Sequence, residues 1–164
     1  AQISEYGKYD VLLINLLSAA AVAAVYLTLP QKPDVETMKE YYRRVMDSRL
    51  TRAFLKGSNQ FSASYQRRLR KHAEMSQRAT NPFTWRFTFH AGETLDSFDA
   101  IFDKCGIYEL FRHLGIPELT PALCAYDYDM ALITGTVFTR EYTLAAGGPV
   151  CDCHYRRASS AGNE

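Results

Sequence analysis

The chain has 164 residues, of which 47% are hydrophobic and 23% are charged, a composition typical of a globular domain with its own hydrophobic core. Its formal net charge of +1 excludes a global positive field that would attract nucleic acid. The basic run at 67–71 contains no aromatic residue, so we expect it to be a solvated helix face and not a nucleic-acid site.

The N-terminal part of the chain is predicted to be a layer of helices. Residues 11–29 carry no charge and are just long enough to span a membrane. They include Asn15, Ser18 and many alanines, however, so we expect a buried helix that could lie at a subunit interface. Asp34 is expected to cap a second helix, and a further helix is predicted over 62–79.

The remainder of the chain changes to a period of two, which is typical of strands. The predicted order is strands 85–90 and 98–103, helices 105–114 and 121–133, and strands 136–144 and 150–156. Thr120 and Pro121 predict the start of the second of these helices, as its cap and its first residue. The simplest packing is an α+β fold in one domain, 1–164. A four-stranded antiparallel sheet with β-β-α-α-β-β order (83–157) packs against the helical layer (1–80).

All four cysteines lie in the second half of the chain, at Cys105, Cys124, Cys151 and Cys153. A chain of this length and composition needs no disulfides, so we expect reduced thiols and a cytoplasmic protein. Thiols near carboxylates and an imidazole are groups that attack carbon or bind a metal, although a free cysteine is also a common core residue.

Two of these thiols have a position or a companion that could activate them. Cys105 lies at a junction of strand and helix, where the positive end of the helix dipole favours a thiolate. Cys124 and Asp127 are three residues apart in a predicted helix and share one face. That pair could be a nucleophile and its base, two metal ligands or a hydrogen-bonded pair in the core.

The last predicted strand presents different side chains on its two faces. Cys151 and Cys153 share one face, whereas Asp152 and His154 share the other. Two sulfurs on one face could bind one zinc ion together with another of the thiols. His154 by itself is more typical of a structural or surface histidine.

Several short motifs follow one another in a specific order over residues 83–157. They are Phe102-Asp103-Lys104-Cys105, Gly115 with Glu118-Leu119-Thr120-Pro121, Leu123-Cys124-Ala125-Tyr126-Asp127, Arg140, Thr143-Leu144-Ala145-Ala146-Gly147, and Cys151-Asp152. This half of the chain resembles the L-2-amino-thiazoline-4-carboxylic acid hydrolase family, and the N-terminal helices are similar only in type. The family usually has an aromatic residue at the position of Cys153, so we expect Cys153 to be an ordinary strand residue.

The resemblance implies a hydrolase that opens a small sulfur–nitrogen heterocycle by acting on the carbon–nitrogen bond of a cyclic amidine. The substrate class is a 2-aminothiazoline carboxylate. Water adds at the amidine-like carbon, and a product of the N-carbamoyl-cysteine type forms. Such chemistry needs an activated nucleophile, a proton donor and a cation for the substrate carboxylate.

The resemblance also suggests which residues act. Cys124 is the first candidate nucleophile, with Asp127 positioning it or a water, and Cys105 is the second candidate. Other expected roles are those of Cys151 and Asp152 as a pocket wall, Asp152 as acid or base, and Arg140 and His154 as substrate-binding residues. No cofactor is expected, unless water is activated by a divalent metal such as zinc bound by Cys105, Cys124, Asp127 and Cys151.

Two other functions remain open at this stage. One is a non-catalytic domain that binds or senses a small molecule, and the other is an interaction domain stabilised by zinc. For the hydrolase we expect a small-molecule substrate, no nucleic acid, no membrane span and assembly as a homo-oligomer.

Overall fold

The N-terminal layer contains four α-helices within residues 6–159, the part of the chain that the computed structural model describes. They are α1 (Leu13–Thr28), α2 (Val35–Met46), α3 (Arg49–Gly57) and α4 (Ala63–Ser76). The predicted cap of α2 is confirmed, because the Asp34 carboxylate accepts the N–H of Thr37 at 2.7 Å. Ser48 and Ser62 cap α3 and α4 in the same way.

The apolar helix α1 packs on the core along only one face. Leu16, Ala19 and Ala23 are buried, whereas Ile14 on the other face is 71% exposed. The prediction of a buried helix therefore holds for one side of α1. Within residues 6–159, every helix is too short or too polar to cross a membrane.

The second half forms one antiparallel sheet of four strands, which confirms the α+β fold. The strands are β1 (Arg86–Ala91), β2 (Ser97–Lys104), β3 (Thr136–Thr139) and β4 (Cys151–Arg157). Their spatial order is β1-β2-β4-β3, so β4 is inserted between β2 and β3. The helix α4 packs against β1.

The helices between β2 and β3 differ from the prediction at one point. They are α5 (Gly106–His113), α6 (Thr120–Cys124) and α7 (Tyr126–Thr134), so the helix predicted over 121–133 is divided at Ala125. Thr120 is the first residue of α6 and not its cap. Its hydroxyl is buried and has no hydrogen-bond partner within the described residues.

The third strand is shorter than predicted. It ends at Thr139, and the segment predicted to continue it to residue 144 instead forms a 3-10 turn at Leu144–Ala146. The turn is stabilised by Thr143, whose hydroxyl accepts the N–H of Ala146 at 3.1 Å. The short strand leaves Arg140 free to turn towards α7 instead of extending the sheet.

Candidate active site

The inner face of the sheet combines aromatic and small side chains. The strand register aligns three rows across the sheet, namely Phe87, Phe102 and Cys151, then Phe89, Ala100 and Cys153, then Ala91, Phe98 and Tyr155. A cavity of about 420 Å³ lies over this face. The helical side of the cavity includes Cys105, Cys124 and Asp127, so the predicted thiols and carboxylate meet in one place.

A salt bridge between Asp127 of α7 and Arg140 after β3 is the most polar feature of the cavity. The Arg140 Nη1 donates to Asp127 Oδ2 at 2.8 Å, and the Arg140 Nη2 donates to the carbonyl oxygen of Cys124 at 3.2 Å. The guanidinium also lies over the rings of Tyr128 and Phe138, at 5.6 and 5.4 Å from the ring centroids. Only 7% of the Arg140 side chain is exposed, so these contacts fix both partners.

The Asp127 carboxylate keeps one oxygen available. Its Oδ2 is held by Arg140, whereas Oδ1 has no hydrogen-bond partner among residues 6–159, and 33% of the side chain is exposed. Loss of surrounding water raises the pKa of Asp127 above its ordinary value of 3.8, against the lowering effect of Arg140. A carboxylate with a raised pKa and a free oxygen can accept a proton from water.

The four thiols are protonated at neutral pH. Burial raises the pKa of each, and the negative charge of Asp127 adds to the effect. From an ordinary value of 9.0, the pKa rises to about 11 for Cys105 and to about 12 for Cys153. The Cys151 sulfur also accepts the N–H of Leu144 at 3.3 Å. Thiols in this state are weak nucleophiles.

Cys105 lies where the sequence predicts it, directly before α5, but it is not the expected thiolate. The backbone N–H groups of Tyr108 and Ile107 lower the pKa of Cys105, and burial outweighs them. The next residue allows this packing, because a Cβ on Gly106 would collide with the backbone of Phe83. The close approach of α5 to that backbone holds the thiol away from water.

The model of the L-2-amino-thiazoline-4-carboxylic acid hydrolase family matches residues 14–155. The chain belongs to this family. Neither the curated proteins nor the solved structures provide a significant match. The family match extends the resemblance seen over 83–157 to nearly the whole helical layer, including α1.

The site residues that were predicted from the sequence divide into two groups in space. Cys105, Cys124, Asp127, Arg140 and Cys151 line one cavity. Asp152 and His154, which were expected beside them, lie on the outer face of the sheet.

The outer position of Asp152 and His154 follows from the alternation of side chains along β4. The Asp152 carboxylate accepts the N–H groups of Tyr142 at 2.6 Å and Glu141 at 3.2 Å, and therefore stabilises the loop after β3. The His154 Nδ1 is 2.8 Å from Asp99 Oδ1. The predicted pocket wall is therefore corrected, because it includes Cys151 but not Asp152.

The predicted metal ligands do not form a ligand cluster. Over residues 6–159, no group of three or more His, Cys, Asp or Glu side chains is arranged to hold a metal ion. The carboxylate of the predicted set, Asp127, already pairs with Arg140 at 2.8 Å. The donor set therefore does not fit a divalent metal, and we derive no catalytic step through one.

Most of the other lining residues of this family member were not expected from its sequence, and Cys153, Arg68 and Ala100 are three of them. Cys153, predicted to be an ordinary strand residue, is 4% exposed and lines the cavity beside Ala100. Arg68, predicted to be part of a solvated helix face, lies at the cavity margin on α4. The alternation of β2 and β4 would have identified Ala100 and Cys153, because both share the inner face with Cys151.

Proposed function

We propose that this family member opens a cyclic amidine of the 2-amino-thiazoline-4-carboxylate type and that Asp127 activates the attacking water. One observation carries the proposal: the Asp127 carboxylate faces the cavity with one oxygen held by Arg140 and the other without a hydrogen-bond partner among residues 6–159. Burial raises the pKa of Asp127 above 3.8, which makes the carboxylate a stronger base towards water than an exposed aspartate.

Atom balance identifies which ring bond breaks. Water adds to the amidine carbon while Asp127 takes one of its protons. As the carbonyl forms, the second water proton passes to the ring nitrogen, the carbon–sulfur bond breaks, and the sulfur receives the first proton from Asp127. The carbonyl carbon keeps both nitrogens, which gives an N-carbamoyl product with a free thiol. Breakage of the ring carbon–nitrogen bond would give an S-carbamoyl product instead, so an N-carbamoyl product requires the carbon–sulfur bond to break.

The protein thiols have a secondary part in this proposal. The raised pKa of Cys124 disfavours it as the attacking group, and the same applies to Cys105. Arg140 orients Asp127, since its Nη1 and Nη2 are already bonded to the protein. It is a positioning residue in this scheme and not the partner of the substrate carboxylate.

Arg68 is the better candidate for the substrate carboxylate. It lies at the cavity margin, is exposed, and forms no salt bridge with any carboxylate within residues 6–159. Its guanidinium is 5.3 Å from the centroid of the Tyr65 ring, which lines the same cavity. An arginine held in this way can bind a carboxylate with two parallel hydrogen bonds.

The test is incubation of the purified chain with 2-amino-thiazoline-4-carboxylate, with the product identified by mass spectrometry and its free thiol titrated. Asp127→Asn is expected to lower kcat by about 10² to 10⁴-fold, the usual contribution of a general base. In the parent protein, kcat/KM should fall as the pH decreases through the raised pKa of Asp127, above 3.8.

Two further variants separate the water mechanism from a thiol mechanism. Cys124→Ser is expected to retain most of the activity, whereas a covalent mechanism through Cys124 would lose nearly all of it. Asp152→Asn is the matched control on the outer face and should leave kcat nearly unchanged. Absence of ring opening by the parent protein, or full activity of Asp127→Asn, would contradict the proposal.

A further inference from the structure

The cavity is larger than the proposed reaction requires. Pockets of roughly 300–1,000 Å³ hold drug-sized ligands, and this cavity has a volume of about 420 Å³. A five-membered ring with an amino group and a carboxylate is much smaller than such ligands. Much of the cavity would stay empty or hold water if the substrate were the unsubstituted ring.

The additional space lies against apolar groups. Phe98 and Phe102 are four residues apart on β2, so their Cα atoms are separated by about 13 Å. Ala100 lies between them on the same face of the sheet, and it pairs with Cys153 on β4. Two small side chains therefore form a low floor between two aromatic positions.

Aromatic rings stand at both ends of this floor. The Phe87 and Phe102 rings are stacked with centroids 4.8 Å apart, and the Phe98 and Tyr155 rings are stacked at 4.7 Å. All four residues line the cavity. Such surfaces favour a flat apolar group, which can add offset stacking to the burial of its area, over ordered water, which needs polar partners.

The apolar lining continues to the margin of the cavity. Phe54 of α3 is 76% exposed and is nevertheless part of the lining. No residue of α3 is buried. An exposed aromatic ring at the edge of an apolar cavity gains contacts when a ligand with an apolar part enters.

We propose, on the basis of the function proposed above, that the preferred substrate is a cyclic amidine carrying an aryl or similarly large apolar substituent. The substituent lies over Ala100 and Cys153, between the Phe87–Phe102 and Phe98–Tyr155 ring pairs. The amidine carbon lies at Asp127. The reaction is the same addition of water, and the substituent contributes binding and selectivity.

The experiment compares 2-amino-thiazoline-4-carboxylate with its 5-phenyl derivative. The parent protein is expected to show a kcat/KM at least about tenfold higher for the phenyl compound, the scale on which a hydrophobic pocket discriminates. Binding is measured separately by calorimetry, with Asp127→Asn if the compounds are turned over and with the parent protein if they are not. The phenyl compound should again bind about tenfold more tightly.

Ala100→Val tests the location of the substituent. It raises the cavity floor, so it should abolish the advantage of the phenyl compound while sparing the smaller ring. Ala91→Val makes the same substitution at the exposed end of β1, outside the cavity lining, and should leave the advantage intact. Melting temperatures show whether both variants fold.

The outcomes separate the two proposals. If the parent protein opens the ring of neither compound, the proposed function is refuted. The preference measured by calorimetry then decides on the apolar subsite alone. A different outcome refutes the subsite and leaves the proposed function standing. In that outcome the ring is opened, but the phenyl compound has a kcat/KM equal to or lower than that of the unsubstituted ring and binds no more tightly. A phenyl preference that persists in a folded Ala100→Val variant also refutes the subsite, and so does an equal loss of the preference in Ala91→Val.

Discussion

The two faces of β4 carry similar chemical groups in opposite environments. On the inner face, Cys151 and Cys153 are 8% and 4% exposed and line the cavity. On the outer face, Asp152 and His154 remain partly exposed and bind the loop after β3 and the neighbouring strand. Residues that are adjacent in the chain therefore differ in role. The inner ones line the cavity, and the outer ones hold the loop after β3 and the neighbouring strand in place.

Contacts and burial in the folded chain decide the protonation state of these groups more than their neighbours in the sequence do. On the inner face, loss of water raises the pKa of the thiols and of Asp127. On the outer face, loss of water is the largest single influence on the pKa of Asp152 and raises it. The backbone N–H groups of Tyr142 and Glu141 together outweigh that influence, so the pKa of Asp152 is lowered.

The largest expected effect is the loss of the inner salt bridge. Arg140→Met leaves the Asp127 carboxylate without its partner, and we expect the free energy of unfolding to fall by about 3 kcal/mol. That figure is at the lower end for a buried pair, because 33% of the Asp127 side chain is exposed. Urea denaturation at neutral pH measures the change.

Two other variants sharpen this stability comparison. The double variant Arg140→Met with Asp127→Asn should recover much of the loss, since it removes the uncompensated charge. Asp99→Asn breaks the outer pair with His154 and should cost less than about 1 kcal/mol. A greater loss in Asp99→Asn than in Arg140→Met would show that burial does not distinguish the two ion pairs.

An intermediate effect is expected from two adjacent arginines of α4. Arg68 lines the cavity margin and Arg67 does not. Arg68→Gln should raise the KM for the carboxylate substrate by about tenfold, the loss expected for a hydrogen bond to a charged group. Arg67→Gln should leave it unchanged. An equal rise in KM for both variants, in steady-state assays at one ionic strength, would assign the effect to general charge instead of a contact.

Local periodicity accounts for the parts of the site that were predictable from the sequence. The alternation of β4 separates Cys151 from Asp152, because side chains on a strand point to opposite faces at each step. Asp152 was expected in the pocket wall because it is next to Cys151 in the chain. The alternation of side chains along β4 contradicts that expectation. The α+β order and the cap at Asp34 likewise follow from local patterns.

The remaining features depend on contacts between distant parts of the chain. The pairing of Asp127 with Arg140 requires β3 to end at Thr139, and the strand prediction extended beyond that residue. The protonated state of Cys105 depends on packing that a helix-dipole argument does not include. The size of the cavity depends on Ala100 lying beside Cys153, which needs the register of two strands.

The smallest predicted effect is a pH dependence that belongs to the outer face. The hydrogen bond that His154 donates to the Asp99 carboxylate raises the pKa of His154 above 6.5, with Asp152 as a weaker partner 3.5 Å away. This stabilisation is complete below the unfolded pKa and is lost as the pH rises through the folded one. The free energy of unfolding should therefore fall by less than about 1 kcal/mol between pH 6 and pH 9, because His154 is partly exposed.

Asp99→Asn should flatten this part of the pH profile, measured by urea denaturation. If the decrease persists in Asp99→Asn, it arises from another group, because on the outer face this carboxylate is what holds the imidazole in its charged form.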